Sequence, residues 1–282
     1  IYAHTSWDIV KDIQKRRLTR KFAKPRLKHL KYLSIDEIHI GHGHQFLTIV
    51  MDLIEGVIVY VGDGKSAESL APFWVRLRRF KANIRAVTMD MSPAYLSAVT
   101  TNLPHAEVVY DHFHVVKLFN EKLSDLRRDL YRELKDASHK AVLKGTRWLL
   151  LKNPENLDAN KNEKERLEEA LRLNQPLAVA YYLKEDLRQI WQQANKKEAT
   201  RVLNDWIARA RASGIQVLKK FATLLASLRS GILAYYSHFL SSGRMEGTNN
   251  KIRTLIKQAY GFRDHDFFKL KIYALHESKY AL

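Results

Sequence analysis

The chain contains no cysteine among its 282 residues. It therefore has no disulfide bonds and no thiolate ligands for a zinc site, although secreted proteins can also lack cysteine. Long apolar runs are missing as well, since the longest fall far short of the ~20 residues that a membrane-spanning helix requires. No signal peptide opens the chain. We therefore expect a cytoplasmic protein that does not insert into a membrane.

Acidic residues are scarce relative to basic ones. The chain has 30 Asp and Glu against 48 Lys and Arg, which gives a formal net charge of +18 at pH 7. A surplus of this size favours polyanionic partners through the summed field and through counterion release. Nucleic acid is the first candidate partner. The hydrophobic fraction of 46% is sufficient for one large domain or two ordinary ones with real cores.

The composition and the periodicity of the sequence change along the chain. Residues 1–31 are basic with weak helical periodicity and a break expected at Pro25, which indicates a linker or the tail of something larger. The first residue is Ile rather than Met, so we expect a preceding segment. Residues 32–111 contain short runs rich in Val, Ile and Thr, in the order strand, strand, strand, helix, strand, helix, strand. This order predicts a mixed sheet in which an antiparallel meander leads into parallel strands.

The remainder reads as helix. Residues 115 to about 240 carry apolar side chains at helical spacing with almost no strand character. The segment that follows starts with small turn residues and then reads as an amphipathic helix ending at Gly261, with Glu246 in its first turn.

This last helix is predicted to have two distinct faces. A polar stripe starts at Glu246 and continues at i+3, i+4 and i+7 with Asn249, Asn250 and Arg253. The opposite face is apolar and is predicted to pack on the sheet; it comprises Ile252, Leu255, Ile256 and Ala259.

Two aspartates stand where sites in α/β sheets usually form. Asp36 lies inside the first strand, and Asp90 closes the fourth, where a parallel strand gives way to a helix. Acids taken singly are most often exposed surface residues, so position alone leaves both interpretations open.

Four motifs together resemble the DDE transposases of bacterial insertion sequences, specifically the ISL-three family. They are "SIDE", "VTMDMSPAY", "YDHFHVVKLFN" and "RMEGTNNKIRTLIKQAYGFRD", and the resemblance extends from about residue 28 to 279. It implies an α/β fold of the ribonuclease H-like type, a mixed five-stranded sheet with flanking helices interrupted by a large all-helical insertion. The implied parts are a basic N-terminal segment (1–31), the first part of the catalytic domain (32–114), the insertion (115–240) and the rest of the catalytic domain (241–282).

The resemblance places the family's three catalytic acids at Asp36, Asp90 and Glu246. They would bind two Mg²⁺ or Mn²⁺ ions, because cleavage and transfer of phosphodiesters place charge on both the attacking and the leaving oxygen. That Asp36 bridges the two ions is an implication of the family, and Glu37 is interpreted as a neighbour. The implied substrate is double-stranded DNA, both transposon ends and target, handled by a homo-oligomer in the bacterial nucleoid.

Other residues have weaker signals. Asp111 and His114 in "DHFH" could be auxiliary site residues or could make structural hydrogen bonds. His39, His42 and His44 suggest a transition-metal site, although "IGHGHQ" reads more readily as a turn between strands.

DNA contacts are proposed for two regions. Trp148 could stack an extruded base, but a core tryptophan is the preferred interpretation. Basic clusters are commonly solvated surface. Because the net charge is +18, contact with phosphate is as plausible as solvent exposure for the basic residues of the last helix. The candidates there are Asn250, Lys251, Arg253 and Lys257.

The chain also departs from the family pattern. Full members carry an N-terminal cysteine-rich zinc module and a helix-turn-helix, whereas this chain has no cysteine and opens with a stretch that resembles only the end of that helix-turn-helix. We expect recognition of terminal inverted repeats to be impaired. Three hypotheses remain: a metal-dependent transposase core, a non-catalytic DNA-binding remnant, and a ribonuclease H-like nuclease of another substrate class.

Overall fold

The computed structural model describes residues 6–22, 27–41 and 45–276. It contains five strands in one sheet. Their bounds are β1 (Tyr32–His39), β2 (Phe46–Asp52), β3 (Val57–Asp63), β4 (Ala86–Met89) and β5 (Glu107–Tyr110).

Helices precede, flank and interrupt this sheet. They are α1 (Trp7–Phe22), α2 (Ala71–Phe80), α3 (Pro93–Asn102), α4 (His112–Glu133), α5 (Ala137–Lys144), α6 (Arg147–Leu151), α7 (Glu163–Leu173), α8 (Gln175–Gln189), α9 (Lys196–Ala212), α10 (Gln216–Ser227), α11 (Arg229–Leu233), α12 (Tyr235–His238), α13 (Gly243–Gln258) and α14 (His265–Ala274). Short 3-10 turns lie at Ala67–Leu70, Pro154–Asn156, Ala159–Lys161 and Ile190–Gln192.

The strand order across the sheet is β3-β2-β1-β4-β5. β1 pairs antiparallel with β2, and β2 pairs antiparallel with β3. On its other side β1 pairs parallel with β4, which pairs parallel with β5. The prediction of an α/β fold with a mixed five-stranded sheet and flanking helices is confirmed, with the first strand at the centre of the sheet.

The local sequence explains the meander. β2 has the sequence "FLTIVMD" and is buried along almost its whole length, as expected for a strand covered on both faces. Between β2 and β3 the chain turns with Gly56 at a φ of +67°, a conformation that glycine adopts without steric cost. The Asp52 carboxylate accepts a hydrogen bond from the backbone N–H of Ile54 at 2.9 Å, which closes the same turn.

Two layers of helix cover the sheet. On one face Met245 and Ile252 of α13 and Phe268 of α14 pack against the apolar side chains of β1 and β2. On the other face Tyr95 of α3 hydrogen-bonds Thr48 of β2 at 2.9 Å. The central strand β1 therefore lies between α13 on one face and α3 on the other.

The N-terminal segment, interpreted from sequence as a linker or tail, includes a helix that packs on this unit. Leu18 and Phe22 of α1 bury their side chains against Phe267 of α14. The Lys15 ammonium donates to the Asp264 carboxylate at 2.9 Å, an ion pair that joins α1 to the N-cap residue of α14.

The helical part of the chain forms a second compact unit, His112–Ser237, and the first unit consists of the chain before and after it. The residues of this second unit, all of them described, contain helices and no strand. Its core holds Trp206, whose ring contacts Phe119 at 5.6 Å and Phe221 at 5.8 Å between centroids. The indole N–H of Trp206 donates to the Leu183 carbonyl at 2.7 Å.

Trp148 differs from Trp206. The interpretation of Trp148 as a core tryptophan is wrong, because 66% of its surface is exposed. Its neighbours Leu149 and Leu150 face the core instead, since α6 is short and turns only one side inward. Among the described residues, no helix has the length and apolar character needed to cross a membrane.

The two tryptophans give a matched test of this packing. Replacing Trp206 with alanine should lower the free energy of unfolding by about 3–5 kcal/mol, because it leaves a large cavity in the core of the helical unit. The same change at Trp148 should alter it by no more than about 0.5 kcal/mol. Urea unfolding followed by far-UV circular dichroism measures both, and equal losses would contradict the burial assigned to the two rings.

Candidate functional site

Asp36 and Glu37 are adjacent in β1 and point to opposite faces of the sheet. Asp36 pairs with Ile49, and Glu37 pairs with Thr48, so the two carboxylates follow the alternation of a strand. The Asp36 face is covered by α13, and the Glu37 face is covered by α3. Only Asp36 can therefore meet a side chain of α13.

Asp90 lies next to Asp36 at the end of the neighbouring strand. Ile35 of β1 pairs with Met89 of β4, so the residues that follow them are level with each other. The Asp90 carboxylate accepts a hydrogen bond from the backbone N–H of Ser92 at 3.0 Å, which fixes it at the turn into α3. Since β1 and β4 are parallel, both aspartates are presented at the same edge of the sheet.

Negative charge is concentrated at this edge. Burial raises the pKa of Glu37, and the charges of Asp90 and Asp36 raise it further, while Lys65 opposes them. Burial also raises the pKa of Tyr95, with further contributions from the same three carboxylates. A cation bound here would relieve repulsion that the folded protein otherwise has to accommodate.

Helix α13 reaches this edge through Asn249. The Asn249 amide nitrogen donates to Oδ2 of Asp36 at 2.6 Å, and the backbone N–H of Glu37 donates to Oδ1 at 2.8 Å. Asn249 was predicted on the polar stripe that starts at Glu246, and only 3% of its surface is accessible, because it faces the sheet. Its Oδ1 atom is buried and has no hydrogen-bond partner among the described residues.

Arg244 fixes the start of α13. Its guanidinium donates to the carbonyls of Leu53 and Ile54 at 2.6 and 2.7 Å, which attaches the first turn of the helix to the β2–β3 turn. The helix ends at Gln258 rather than at the predicted Gly261, and Ala259, predicted to pack on the sheet, is exposed beyond that end. Gly261 has a φ of +96°, and its N–H donates to the Ile256 carbonyl at 3.0 Å, so it closes the turn after the helix.

Glu246 lies in the first turn of α13, three residues before Asn249, and is exposed. Side chains three residues apart on a helix share a face, with their Cβ atoms roughly 5–6 Å apart. Glu246 is thus one helical turn away from the residue that contacts Asp36. Within the described residues, no group of three histidine or acidic side chains is arranged so that it could hold a metal ion.

The donor chemistry of the edge suits a hard divalent cation. Asp36 and Asp90 supply carboxylate oxygens, and the buried Oδ1 of Asn249 is an oxygen without a partner in the described structure. Mg²⁺ and Mn²⁺ prefer such oxygens. The residues therefore fit a divalent ion on the Asp36 side of the sheet, with Glu246 available from α13.

Asp111 is the alternative acid. It follows β5, its N–H donates to the Met89 carbonyl at 3.2 Å, and 6% of its surface is accessible. It thus lies one strand beyond Asp90 at the same edge. His114 is in the first turn of α4, where its ring meets Phe113 edge-on at 6.0 Å, and its auxiliary role stays a prediction.

The histidine cluster is only partly described. His39 ends β1 and packs its ring edge against Phe46 of β2 at 5.1 Å, as a cross-strand pair does. His42 and His44 lie outside the described residues.

The predicted DNA-contacting residues of α13 are all exposed, namely Asn250, Lys251, Arg253 and Lys257. Arg253 donates to the Asn250 side-chain carbonyl at 2.9 Å, which aligns the two along the helix surface. In the helical unit the Arg147 guanidinium lies over the exposed Trp148 ring, 4.8 Å from the ring centroid.

Sequence reasoning missed the roles of Asn249 and Arg244. The position of Asn249 could have indicated its burial, since it falls at i+3 from Glu246 and on the same side of the helix as Met245 and Ile252. Arg244 gave no signal, because its acceptors are backbone carbonyls about 190 residues earlier in the chain.

The sheet order and the two aspartates at one edge of its central strands define an α/β protein with an acidic site on a mixed sheet. The sequence model of the ISL3 family of DDE proteins, described as "Transposase", matches residues 33–272. The chain belongs to this family of transposases.

Two curated relatives come from bacterial insertion sequences. The transposase for insertion sequence element IS1001 of Bordetella parapertussis is 37% identical over 271 residues, which cover 95% of this chain and 66% of the relative. The transposase for insertion sequence element IS1557 of Mycobacterium tuberculosis strain H37Rv is 31% identical over 261 residues, 84% of this chain and 58% of the relative. The chain thus spans somewhat less than two thirds of the length of these relatives.

Among solved structures, the chain is similar to the Drosophila P element transposase strand transfer complex. The two share 14% sequence identity, with 95% of this chain and 80% of the other covered and a TM-score of 0.47.

The contact between Asn249 and Asp36 can be tested against an exposed neighbour. Asn249→Ala should lower the free energy of unfolding by about 1–3 kcal/mol, because the partly buried Asp36 carboxylate loses a hydrogen-bond donor. Asn250→Ala, on the exposed side of the same helix, should change it by no more than about 0.5 kcal/mol. Urea unfolding distinguishes the two, and a neutral Asn249→Ala would mean that α13 is not held to β1 by this hydrogen bond.

Proposed function

We propose that the chain is the catalytic core of a transposase that cleaves DNA strands at the ends of an insertion sequence and transfers them to a target. The observation that carries the proposal is the level placement of Asp36 and Asp90 on adjacent parallel strands, in a chain of a transposase family. The surplus of positive charge gives the DNA a reason to bind.

Asp36, Asp90 and Glu246 would hold two Mg²⁺ or Mn²⁺ ions. When bound, such ions stabilise charge on the attacking and leaving oxygens of a phosphodiester and lower the pKa of a bound water. Asp36, on the central strand, is the acid best placed to serve both ions. Glu246 is exposed and on the helix turn next to Asn249, so a change of side-chain rotamer is the motion the proposal requires of it.

The protein residues around these acids orient them. Asn249 and the backbone N–H of Glu37 each donate to one oxygen of Asp36, which leaves the carboxylate little rotational freedom. The N–H of Ser92 does the same for Asp90. Orientation by surrounding donors is what a metal-binding carboxylate needs if its geometry is to be reproducible.

DNA would be held by the exposed side of α13 and by the helical unit. Asn250, Lys251, Arg253 and Lys257 lie on the solvent side of the helix that carries Glu246, so a backbone bound there passes close to that acid. Trp148 would contribute an exposed ring for stacking on a base. The partners in this proposal are double-stranded transposon ends, target DNA and a second copy of the protein.

Neutralising either aspartate should separate cleavage from binding. Asp36→Asn and Asp90→Asn should reduce Mg²⁺-dependent nicking of plasmid DNA carrying the element's own ends by orders of magnitude, since each removes a metal ligand. DNA affinity should stay within about twofold, because neither side chain contacts phosphate. Nicking by a variant at the unsubstituted rate would remove that aspartate from the catalytic set.

Arg253→Ala is the complementary control. It should weaken DNA binding and make the dependence of log affinity on log salt shallower by about one unit, while bound DNA is still cleaved. A chain with full DNA affinity and no metal-dependent nicking before any substitution would instead be a DNA-binding remnant.

A further inference from the structure

Tyr260 lies in the turn that follows α13 and is the most exposed large apolar side chain of the described residues. Its relative accessible surface is 100%, so no other part of the described chain covers the ring. Phe262, two residues later, points the other way and stacks on Phe268 of α14 with 4.5 Å between the ring centroids. The turn therefore buries one aromatic ring and presents the other to solvent.

The backbone of Tyr260 is in a conformation that tyrosine rarely adopts. Its φ is +50°, in the left-handed region. The N–H of Tyr260 donates to the Lys257 carbonyl at 3.2 Å, and the N–H of Gly261 donates to the Ile256 carbonyl at 3.0 Å. These are the two hydrogen bonds of a Schellman motif, in which the left-handed residue is usually glycine. A bulky side chain there costs free energy, and no packing of the Tyr260 ring offsets that cost.

Cations rather than apolar side chains surround this ring. Between residues 251 and 266 the chain carries four Lys and Arg against two Asp. The four cations are all exposed, and they are Lys251, Arg253, Lys257 and Arg263. One of the two carboxylates, that of Asp264, is already paired with the Lys15 ammonium at 2.9 Å. The surface on either side of Tyr260 therefore has a surplus of positive charge.

The composition of this surface favours a nucleic acid over a protein partner. In residues 243–274, all of which the structure describes, Tyr260 is the only large apolar side chain that is exposed. A protein partner is usually held by a cluster of apolar side chains, which is missing here. A single aromatic ring among cations suits a nucleic acid strand, because the cations meet its phosphates and the ring meets the face of a base.

This ring is separate from the acids of the sheet edge. Glu246 is in the first turn of α13, whereas Tyr260 lies beyond its last turn. At about 1.5 Å of rise per residue, roughly 20 Å of helix separates the two. A contact at Tyr260 therefore concerns which DNA is bound, and it takes no part in the chemistry at Asp36 and Asp90.

We propose that Tyr260 stacks on an unpaired base of a DNA strand whose phosphates contact Lys257 and Arg263. In an intact duplex both faces of a base are covered by its neighbours, so the ring selects DNA in which a base has left the stack. The proposal rests on the proposed function in taking DNA as the ligand. It adds a residue that distinguishes distorted DNA from fully paired DNA.

The test compares two fluorescently labelled duplexes of the same sequence, one of which carries a single unpaired thymine. Fluorescence anisotropy in EDTA measures the affinity of the full chain for each duplex while metal-dependent cleavage is prevented. The unsubstituted chain should bind the duplex with the unpaired thymine about fivefold or more tightly, since base stacking on an aromatic ring is lost from the other. Tyr260→Phe should keep this preference, and Tyr260→Gly should bind both duplexes equally.

Asn162→Gly is the matched control for the backbone. Asn162 is exposed and has a φ of +48° before α7, so glycine relieves the same conformation without removing a ring. Neither glycine variant should have a lower Tm than the unsubstituted chain, because glycine adopts a positive φ without steric cost. Only Tyr260→Gly should lose the preference for the unpaired thymine. A lost preference at an undiminished Tm cannot be attributed to unfolding.

Photocrosslinking locates the contact directly. With 5-iododeoxyuridine in place of the unpaired thymine, irradiation should join the base to the peptide that contains Tyr260, as identified by mass spectrometry. A crosslink to another part of the chain would overturn the proposal. So would an unsubstituted chain without the preference, a Tyr260→Gly variant that keeps it, or a Tyr260→Phe variant that loses it.

The remaining outcomes separate this proposal from its alternatives. If Tyr260→Gly binds both duplexes as the unsubstituted chain does but no longer self-associates in analytical ultracentrifugation, the ring belongs to an interface between copies, and the proposal is overturned. Retention of the preference by Tyr260→Gly together with metal-dependent nicking by the unsubstituted chain would reject only the role of Tyr260. Absence of binding to either duplex would overturn both proposals.

Discussion

The hydrogen bond between Asn249 and Asp36 joins two parts of the chain that are 213 residues apart. It is the contact on which the arrangement of the first compact unit depends, because the chain leaves the sheet after β5, passes through the helical unit and returns only with α13. Arg244 supports it by attaching the start of α13 to the β2–β3 turn. Met245 and Ile252 bury apolar surface against the sheet. The hydrogen bonds of Asn249 and Arg244 fix the position of the helix along that surface.

Charge is distributed unevenly over this framework. In a chain with a net charge of +18, folding brings Asp36, Glu37 and Asp90 to one sheet edge, where their repulsion and their burial raise the pKa of Glu37. The exposed side of α13 carries Lys251, Arg253 and Lys257 instead. Under the proposed function, an anionic backbone would be attracted to the outer side of the helix and a divalent cation to its inner side. The DNA backbone and the divalent cation would then both lie at α13, and each would contact different side chains.

The sheet could be predicted because its signals are local: two-residue periodicity and turn residues define each strand, and strand order follows from the connections. Asp90 was singled out because it closes a parallel strand, whereas Asp36 lies inside its strand and was assigned through the resemblance of its motif to the transposase family. Asn249 was assigned to the polar stripe, although its place on the same side of the helix as Met245 and Ile252 indicated that it faces the sheet. Trp148 was assigned to the core because tryptophan usually lies there, but α6 is too short to bury both sides. The contact of α1 with α14 involves residues about 250 positions apart, as Lys15 and Asp264 show, so no local sequence pattern could predict it.

The central claim is that Asp36, Asp90 and Glu246 converge on divalent ions, although the Glu246 side chain is exposed. The most direct measurement is anomalous X-ray scattering from crystals of the protein with DNA and Mn²⁺, because it locates the ions without reference to activity. The account predicts manganese peaks within coordinating distance of Asp36 and Asp90, with Glu246 turned inward as a further ligand and Asn249 still beside Asp36. Manganese held by Asp90 and Asp111, with Asp36 and Glu246 uninvolved, would contradict it.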